Sequence, residues 1–438
     1  MADKPQLPKD WTIKPISSLG RVLTGKTPST KTADNFGGHI PFMTPSDMDG
    51  RRIITHTPRH LTEQGAASVS SARIPRGAVM VSCIGSDMGK AAMAGCDAVT
   101  NQQINSIIVG EGISNLYVYY NLSMRKAEIQ HIGSGGSAVP ILNKGHFSQL
   151  QIALPPIEVQ EAIACILGAL DDKIELNRRM NQTLEAMARA IFKSWFVDFD
   201  PVRAKAEGRD TALPDHVAAL FPDAFEESEL GEIPMGWEVW RVTEAGNVVC
   251  GKTPSTRVPE YYGDDVPFIR IPDMHGSVFA ATTQKKLSRA GAASQANKAL
   301  PPGTICVSCI ATPGLVVITT EESHTNQQIN SVVLRGDNET YYWFWAFRDL
   351  AEDIRTGGSG GSVLANLSTG RFSALRVLPA TADLRRSYHL GVAPLFERIL
   401  TNLRETDALA ALRDTLLPKL ISGELRVPHV ERFLARRL

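Results

Sequence analysis

Hydrophobic residues are arranged in two ways along this chain of 438 residues, in short runs and at helical spacing, and each arrangement predicts its own kind of element. Short β-branched runs bounded by glycine or proline, such as 77–84 and 104–109, predict strands. The stretches 116–130 and 341–354 predict helices, set apart from the strands by glycine-rich loops. Residues 1–155 and 236–379 are therefore predicted to be mixed α/β domains.

A heptad pattern follows each of these domains. After Leu154-Pro155-Pro156, apolar residues recur in alternating steps of four and three, and the prolines suit the first turn of a helix. A helix this long needs a partner, so the two long helices are predicted to pack as an antiparallel coiled coil, with asparagines fixing the register. The alternative is that each helix docks on its own domain. The predicted coiled-coil positions are Leu167, Leu170, Ile174, Asn177 and Leu184 in the first helix and Leu395, Ile399, Asn402, Leu409 and Leu416 in the second.

The chain also repeats its own sequence. Gly25–Thr30 returns as Gly251–Thr256 at a shift of 251 − 25 = 226, and Thr100–Ser106 returns as Thr325–Ser331 at a shift of 325 − 100 = 225. A repeat this long exceeds any solenoid unit, so each copy should be a domain with its own core. The predicted fold class is α+β, with two tandem mixed domains related by a pseudo-two-fold axis. The predicted segments are a first domain at 1–155, a long helix at 156–200, an acidic linker at 201–235, a second domain at 236–379, a second long helix at 380–425 and a C-terminal tail at 426–438.

Charge is distributed unevenly although the total cancels. The chain has 46 lysines and arginines against 46 acidic residues, which argues weakly against a protein that binds nucleic acid without partner proteins. Residues 1–155 carry 15 basic and 10 acidic residues, a net of +5, whereas 207–232 contains eight acids against Arg209. Much of the negative charge is thus in the linker. The chain has no apolar run of membrane-spanning length and no apolar signal core near Met1, so a cytoplasmic protein is expected.

Motifs for catalysis are missing from the sequence. The loop 85–90 ends in Gly-Lys but has three residues between its glycines where a phosphate-binding loop has four, and Ala91 follows the lysine. The Cys306–Cys309 pair has no second pair or histidines at zinc spacing, so buried cysteines are expected and no metal site. No catalytic residue is predicted, and the chain is expected to be a binding protein.

The repeated polar motifs suit contacts with DNA, although each has a structural alternative. The Gly-Lys-Thr-Pro-Ser-Thr loop offers a lysine, hydroxyls and backbone N–H groups for phosphates, or it is simply a capped turn. The amides of Gln102 and Gln103 could bind adenine edges, but a structural role is favoured because this motif is identical in both copies. The segments that differ, 51–56 against 277–282 and 85–90 against 311–314, are the better candidates for base reading. The candidate DNA-binding residues are Lys26, Thr27, Ser29, Thr30, Lys31, Arg51, Arg52, Ser86, Lys90, Gln102, Lys252, Thr253, Ser255, Thr256, Arg257, Arg270, Thr312 and Gln327.

The order of these motifs resembles the specificity (S) subunit of type I restriction–modification enzymes. The likeness includes the Gly-Lys-Thr-Pro-Ser-Thr and Thr-Asn-Gln-Gln motifs, the Gly-Ser-Gly-Gly-Ser loop, the segment 192–202 at the end of the first helix and the segment 416–425 near the C-terminus. It covers nearly the whole chain.

The resemblance implies two target-recognition domains, each reading one half of a split sequence in double-stranded DNA. The helices would act as a spacer and dock two modification (methyltransferase) subunits, which bring S-adenosylmethionine and methylate adenine. Restriction subunits, acting as translocase and nuclease, would add ATP and Mg²⁺ chemistry. This chain itself would be non-catalytic and would hold no cofactor.

Two other classes of function stay open on the sequence. A nuclease or methyltransferase that acts by itself would show turnover by the isolated chain with Mg²⁺ or S-adenosylmethionine. A protein-interaction scaffold would give no gel shift of chromosomal DNA fragments in the presence of modification subunits.

Overall fold

The computed structural model describes residues 7–134, 140–351 and 367–427. The chain forms two compact units, unit 1 from residues 1–176 and 406–438 and unit 2 from residues 177–405. Each unit holds one copy of the repeat together with a part of both long helices. Four predicted features lie wholly or partly outside the described residues. They are the last three residues of the Gly-Ser-Gly-Gly-Ser loop at 133–137, its whole counterpart at 358–362, the end of the predicted helix at 352–354 and the tail at 428–438.

Unit 1 is built on a five-stranded and a four-stranded sheet. In the larger sheet, the buried strand Ile104–Val109 pairs antiparallel with both Gly20–Thr24 and Val79–Ser82. The remaining strands of that sheet are Ala91–Ala94 and Ile53–Ile54, the smaller sheet contains His60–Leu61, Phe36–Met43, Ala98–Thr100 and Arg73–Ile74, and Thr12–Pro15 pairs with Gln151–Leu154. The shorter helices are Glu63–Ser68, Asn115–Ser123, Lys126–Gly133 and Lys144–Gln149.

Unit 2 repeats this plan. Its central strand Ile329–Leu334 pairs antiparallel with Gly246–Cys250 and Ile305–Ser308. Val316–Thr319 and Phe279–Ala280 complete the larger sheet, Tyr262–Gly263, Lys286–Leu287, Val266–Ile269 and His324–Thr325 form the smaller one, and Trp240–Arg241 pairs with Arg376–Val377. The shorter helices are Val242–Ala245, Arg289–Ala293, Thr340–Asp349 and Thr369–Ser373.

The two long helices are each forty residues, Ile157–Phe196 and Ala382–Ile421. In unit 2 the Asn177 amide donates to Glu405 Oε2 (2.8 Å), and the Tyr388 hydroxyl donates to the carbonyl of Ala188 (2.8 Å). Partner numbers fall as residue numbers rise, so the helices are antiparallel there. In unit 1 Leu167 is buried in the same core as Leu416 and Leu420. Both helix pairs also pack on the sheets of their units.

The core of each helix pair is wider than the predicted heptad positions. Asn177, Asn402 and Leu167 are fully buried. Several of the other predicted positions are partly buried: Leu170, Ile174, Leu184, Leu395 and Leu409. The second helix additionally buries Leu384, Tyr388 and Phe396 against the sheet domain of unit 2.

Two predictions of local structure are corrected by the fold. The stretch 116–130, predicted as one helix, is two, Asn115–Ser123 and Lys126–Gly133, and Arg125 between them donates to Gln151 O (2.8 Å). The segment 201–235, predicted as a linker, folds into helices Asp200–Ala206 and Asp215–Ala218 and the hairpin Phe225–Ser228/Gly231–Pro234. It is an ordered part of unit 2, because Val202, Val217 and Phe221 are buried in that unit's core.

The mixed α/β class with two repeated sheet-rich domains and long helices is confirmed. Within the described ranges no helix is both long enough and apolar enough to cross a membrane.

Candidate functional site

In unit 1 the two repeated motifs, Gly25–Thr30 and Thr100–Ser106, are hydrogen-bonded to each other at one end of the sheet domain. We call this pair of motifs the clasp. Thr27 Oγ1 donates to Gln102 Oε1 (2.6 Å), and Lys26 N donates to Thr100 O (2.8 Å). Gly25 lies so close to the 100–103 turn that a Cβ there would be 2.0 Å from the carbonyl oxygen of Asn101. The glycine of the motif is therefore required by close packing of two loops.

Unit 2 has the same clasp. Thr253 Oγ1 donates to Gln327 Oε1 (2.6 Å), and Lys252 N donates to Thr325 O (2.9 Å). A Cβ on Gly251 would be 2.1 Å from the carbonyl oxygen of Asn326. In each unit the two motifs contact each other, and these contacts explain why the motifs are identical in the two copies. Recognition of the same DNA sequence by both units is not needed to explain the identity.

The Asn-Gln-Gln turn also holds two further loops in place. Asn101 N donates to Met43 O (3.0 Å), just before the turn Pro45–Asp47, and Cys83 N donates to Gln103 O (2.7 Å) at the start of the loop 84–90. Asn101 Nδ2 in turn donates to Gln103 Oε1 (2.8 Å). These contacts support a structural role for Gln103, whereas Gln102 is exposed.

The same connections recur in unit 2. Asn326 N donates to Ile269 O (3.2 Å), and Cys309 N donates to Gln328 O (2.9 Å). Three loops therefore gather around one turn in each unit. The backbone frame is shared, and the side chains that the frame presents are free to differ.

Side chains in two of the gathered loops do differ between the units. The turn Thr44–Asp47 corresponds to Arg270–Asp273, and in each the carboxylate of the aspartate accepts the backbone N–H of the first residue, at 2.7 and 2.9 Å. The first residue is a threonine in unit 1 and an arginine in unit 2, where Arg270 Nη2 donates to Gln284 Oε1 (3.3 Å). The same backbone position thus carries a small hydroxyl in one copy and a guanidinium in the other.

A cleft of about 240 Å³ lies between these loops in unit 1. Its side chains offer hydroxyl, carboxylate, amide and guanidinium groups, which can bind the edges of bases. The polar lining residues include Thr44, Ser46, Arg59, Ser86, Asp87 and Gln103.

The cationic candidates fall into two groups. Exposed side chains on the clasp loops are Lys26, Lys31, Lys252 and Arg257. Lys90 and Arg51 instead form ion pairs within their own loops, with Asp87 (2.8 Å) and Asp49 (2.8 Å). Arg270 is intermediate, with its Nε 4.0 Å from Asp273 Oδ2 and its side chain 24% exposed. The hydroxyl-bearing candidates on the exposed loop surfaces are Ser29, Thr30, Ser86, Ser255, Thr256 and Thr312.

Arg52, a predicted DNA contact, lies away from the clasp. Its guanidinium donates to Gly168 O (3.2 Å), Tyr120 Oη (3.3 Å) and Asp172 Oδ1 (2.5 Å), and the side chain is 13% exposed. Its guanidinium bonds to helix Asn115–Ser123 through Tyr120 and to the first long helix through Gly168 and Asp172. Arg52 therefore stabilises the packing of unit 1.

Four polar residues of the site escaped the sequence-based prediction, namely Thr44, Ser46, Arg59 and Gln284. A signal existed for Thr44 and Ser46, because they precede the shared pair Asp47-Met48 (Asp273-Met274 in the second copy) and differ from their counterparts Arg270 and Pro272. That signal becomes usable once the loops are known to converge.

The comparisons with known proteins agree with this layout. The family described as type I restriction modification DNA specificity domain matches residues 8–186 and 234–379. The chain belongs to this family. It is a type I restriction–modification specificity subunit, and such subunits are non-catalytic DNA-recognition components.

Relatives cover most of the chain. It is 38% identical over 333 residues to the type I restriction enzyme HindI specificity subunit of Haemophilus influenzae, covering 67% of this chain and 72% of the relative. It is 28% identical over 443 residues to the MjaIX specificity subunit of Methanocaldococcus jannaschii, covering 97% and 96%. The S subunit structure from M. genitalium shares the fold, with a TM-score of 0.56 at 14% identity, and covers 96% of this chain and 98% of that chain.

Proposed function

We propose that each unit reads one half of a bipartite DNA target through the loops that its clasp gathers. The observation that carries this proposal is the combination of an identical clasp with different side chains on the loops beside it. Two readers that share a scaffold and see different sequences should have this pattern, since base contacts specify while backbone contacts position.

The two classes of side chain would have different tasks. The exposed Lys26 and Lys252, at matching positions of the two clasps, suit phosphates, which are the same in every sequence. Arg270 and Gln284 in unit 2 offer the groups that bind guanine and adenine edges in the major groove. Unit 1 offers hydroxyls and Arg59 at its cleft, so the two half-sites should differ.

The long helices would fix the distance between the half-sites and dock two modification subunits. Helices rise about 1.5 Å per residue and resist bending, which suits a spacer. S-adenosylmethionine would be held by the modification subunits, and ATP and Mg²⁺ by the restriction subunits. The neutral net charge of this chain fits a complex in which partners supply much of the phosphate contact. Recognition of chromosomal DNA in such a complex implies a cytoplasmic protein.

Mapping of methylated adenines in DNA modified by the complex tests the proposal. The expected result is a motif of two short specific halves separated by a fixed number of unspecified bases. An uninterrupted motif, or methylation that does not depend on this chain, would contradict it.

A further inference from the structure

One position along the paired helices has opposite chemistry in the two units. In unit 1 it is an ion pair, with Arg413 Nη1 2.7 Å from Asp171 Oδ1. The repeat shift of 225 relates Asp171 to Phe396 (171 + 225) and Arg413 to Ala188 (413 − 225). Unit 2 therefore has a phenylalanine and an alanine where unit 1 has two charges.

The ion pair of unit 1 is built into its surroundings. The Asp171 side chain is 10% exposed, and its second carboxylate oxygen accepts a hydrogen bond from the Tyr120 hydroxyl (2.7 Å). Arg52, which is near, is already bound to Asp172 and to the carbonyl of Gly168. Asp171 thus depends on Arg413 for its counter-ion.

The matching position of unit 2 is apolar and closed. Phe396 and Ala188 are both fully buried in one hydrophobic cluster. The Phe396 ring stacks on Tyr341, with 4.0 Å between the ring centroids. The ring fills this space with apolar surface.

Asn177 and Asn402 by themselves cannot tell the two helices apart, because they are related by the same shift of 225 and each helix presents an asparagine at the same place. Their partners do differ between the copies. Asn177 donates to Glu405, which corresponds to Met180, and Asn402 donates to Asn181, which corresponds to Thr406. Only a position that differs between the copies can discriminate.

We propose that the Asp171–Arg413 pair selects the partner of each long helix, so that a helix accepts the other helix of its own chain and rejects its counterpart from a second chain. Pairing of two first helices would place Asp171 opposite Ala188 and leave a buried carboxylate without its counter-ion. Pairing of two second helices would place Arg413 opposite Phe396. Both wrong pairings lose the Asp171–Arg413 pair. The larger cost falls on Asp171, because its side chain is 10% exposed, whereas Arg413 is 28% exposed and keeps Asp414 at 2.8 Å. The proposal does not depend on the DNA-reading function.

Exchanging the residues at 188 and 413 tests the proposed choice of partner. The double variant Ala188→Arg with Arg413→Ala keeps the amino-acid composition and should reverse the preference for the other helix of the same chain. Within one chain, Asp171 would then face alanine and Phe396 would face arginine. Between chains, two first helices would have Asp171 opposite the new arginine, and two second helices would have Phe396 opposite alanine. The full-length chain would be expressed with two different affinity tags together, and cross-capture, mass by light scattering and Tm would be measured.

The expected results are a single-chain mass for the wild type and at least tenfold more cross-capture, with masses of two chains or more, for the exchanged variant. Adding Asp171→Phe and Phe396→Asp restores matched pairs within one chain, so this four-residue variant should return to a single-chain mass and near the wild-type Tm. Met187→Arg, at an exposed neighbouring position, controls for an added charge.

The proposal is overturned if the exchanged variant keeps the mass and Tm of the wild type. It is equally overturned if the four-residue variant is as defective as the two-residue one. Should the exchanged variant precipitate, recovery of the single-chain mass by the four-residue variant still supports selection by complementarity, and failure to recover counts against it.

Discussion

At the scale of single residues, a basic side chain can bind DNA only if it is exposed and its hydrogen bonds are not already made to groups of its own unit. Lys26 is exposed on the clasp, whereas Arg52 makes hydrogen bonds to a carbonyl, a hydroxyl and a carboxylate of unit 1. Breaking a half-buried arginine away from such partners costs more than a phosphate contact returns. Arg52 therefore belongs to the fold, and Lys26 stays a candidate for phosphate binding.

Arg270→Ala should change the sequence preference of one half-site. The guanidinium is the group best suited to guanine on the loops of unit 2, and a bidentate contact contributes about 1–3 kcal/mol of discrimination. Methylation mapping should show relaxed preference at one position of one half, with the other half unchanged.

Lys252→Ala is the matched control for Arg270→Ala. Loss of a phosphate contact should weaken binding to all sequences alike and lower the dependence of log K on log salt by about one. If both variants weakened binding uniformly, the assignment of Arg270 to base reading would be wrong.

His389 should make unit 2 less stable in acid. Burial lowers its pKa to about 4, with the Glu339 carboxylate partly opposing the shift, and its Nδ1 accepts the backbone N–H of Tyr341 (3.3 Å). The folded unit binds the proton less readily than the unfolded chain, so stability is full above about pH 6.5 and falls as pH drops toward 4. Urea unfolding across this range should show a shallower decline for His389→Phe than for the wild type. If the decline of stability with falling pH were as steep in His389→Phe as in the wild type, this histidine would be excluded as a cause of the instability in acid.

At the scale of elements, each unit attaches its long helix to the start of a corresponding short helix, and the two units use different chemistry for this contact. In unit 2 Arg385 of the second long helix pairs with Glu339 at the start of helix Thr340–Asp349 (2.7 Å), and both side chains are less than 10% exposed. The shift of 225 relates them to Gln160 and Ser114, where Ser114 N donates to Gln160 Oε1 (3.0 Å). A neutral hydrogen bond thus does in unit 1 what a buried ion pair does in unit 2.

Glu339→Ser by itself should destabilise unit 2 by about 3–5 kcal/mol, because it leaves the Arg385 charge buried without its partner. The double variant with Arg385→Gln copies the neutral pair of unit 1 and should recover most of that loss. Denaturant unfolding of the two variants measures the difference. A double variant less stable than the single one would contradict this account.

At the scale of the whole molecule, unit 1 is assembled from two segments far apart in the sequence. Unit 1 contains the first domain and also the end of the second long helix, and Trp11 shares its core with Leu416 and Leu420. Arg426 lies 3.7 Å from Asp10, between opposite ends of the described chain. Unit 2 is one continuous segment, 177–405, whose two ends are the second half of the first long helix and the first part of the second.

Shortening both helices should shorten the spacer of the DNA target. Deletion of 178–184 together with 398–404 removes one heptad from each helix, a rise of about 10 Å, or about three base pairs of DNA. Methylation mapping should then show a shorter gap between unchanged half-sites. Deletion from one helix alone should destabilise the fold, since the partner helix would keep about two unmatched turns. An unaltered gap after the double deletion would refute the proposal that the helices set the spacing.

Several features of this protein follow from the sequence because they depend on local period and on repetition. The strand Ile104–Val109 was predictable from its β-branched run, although its first four residues are all buried and show no alternation. Both forty-residue helices were predictable because heptad spacing records which face is buried. The two-copy organisation was readable from the shift of 225 to 226, and the order of the repeated motifs indicated the family. The break at Arg125 was not, because a contact with a distant strand, at Gln151, fixes it.

The sequence by itself thus determined the repeated domains, the long helices and the family, which all leave a pattern in the order of residues. Tertiary structure decided which polar residues are free for DNA and which are used internally. Arg51 and Arg52 are adjacent in sequence, yet one pairs within its own loop and the other is bound to the first long helix. The meeting of Asp171 with Arg413 likewise depends on a fold that joins residues 242 positions apart. No local pattern encodes such partners, because the energy of a buried charge depends on what the rest of the chain places beside it.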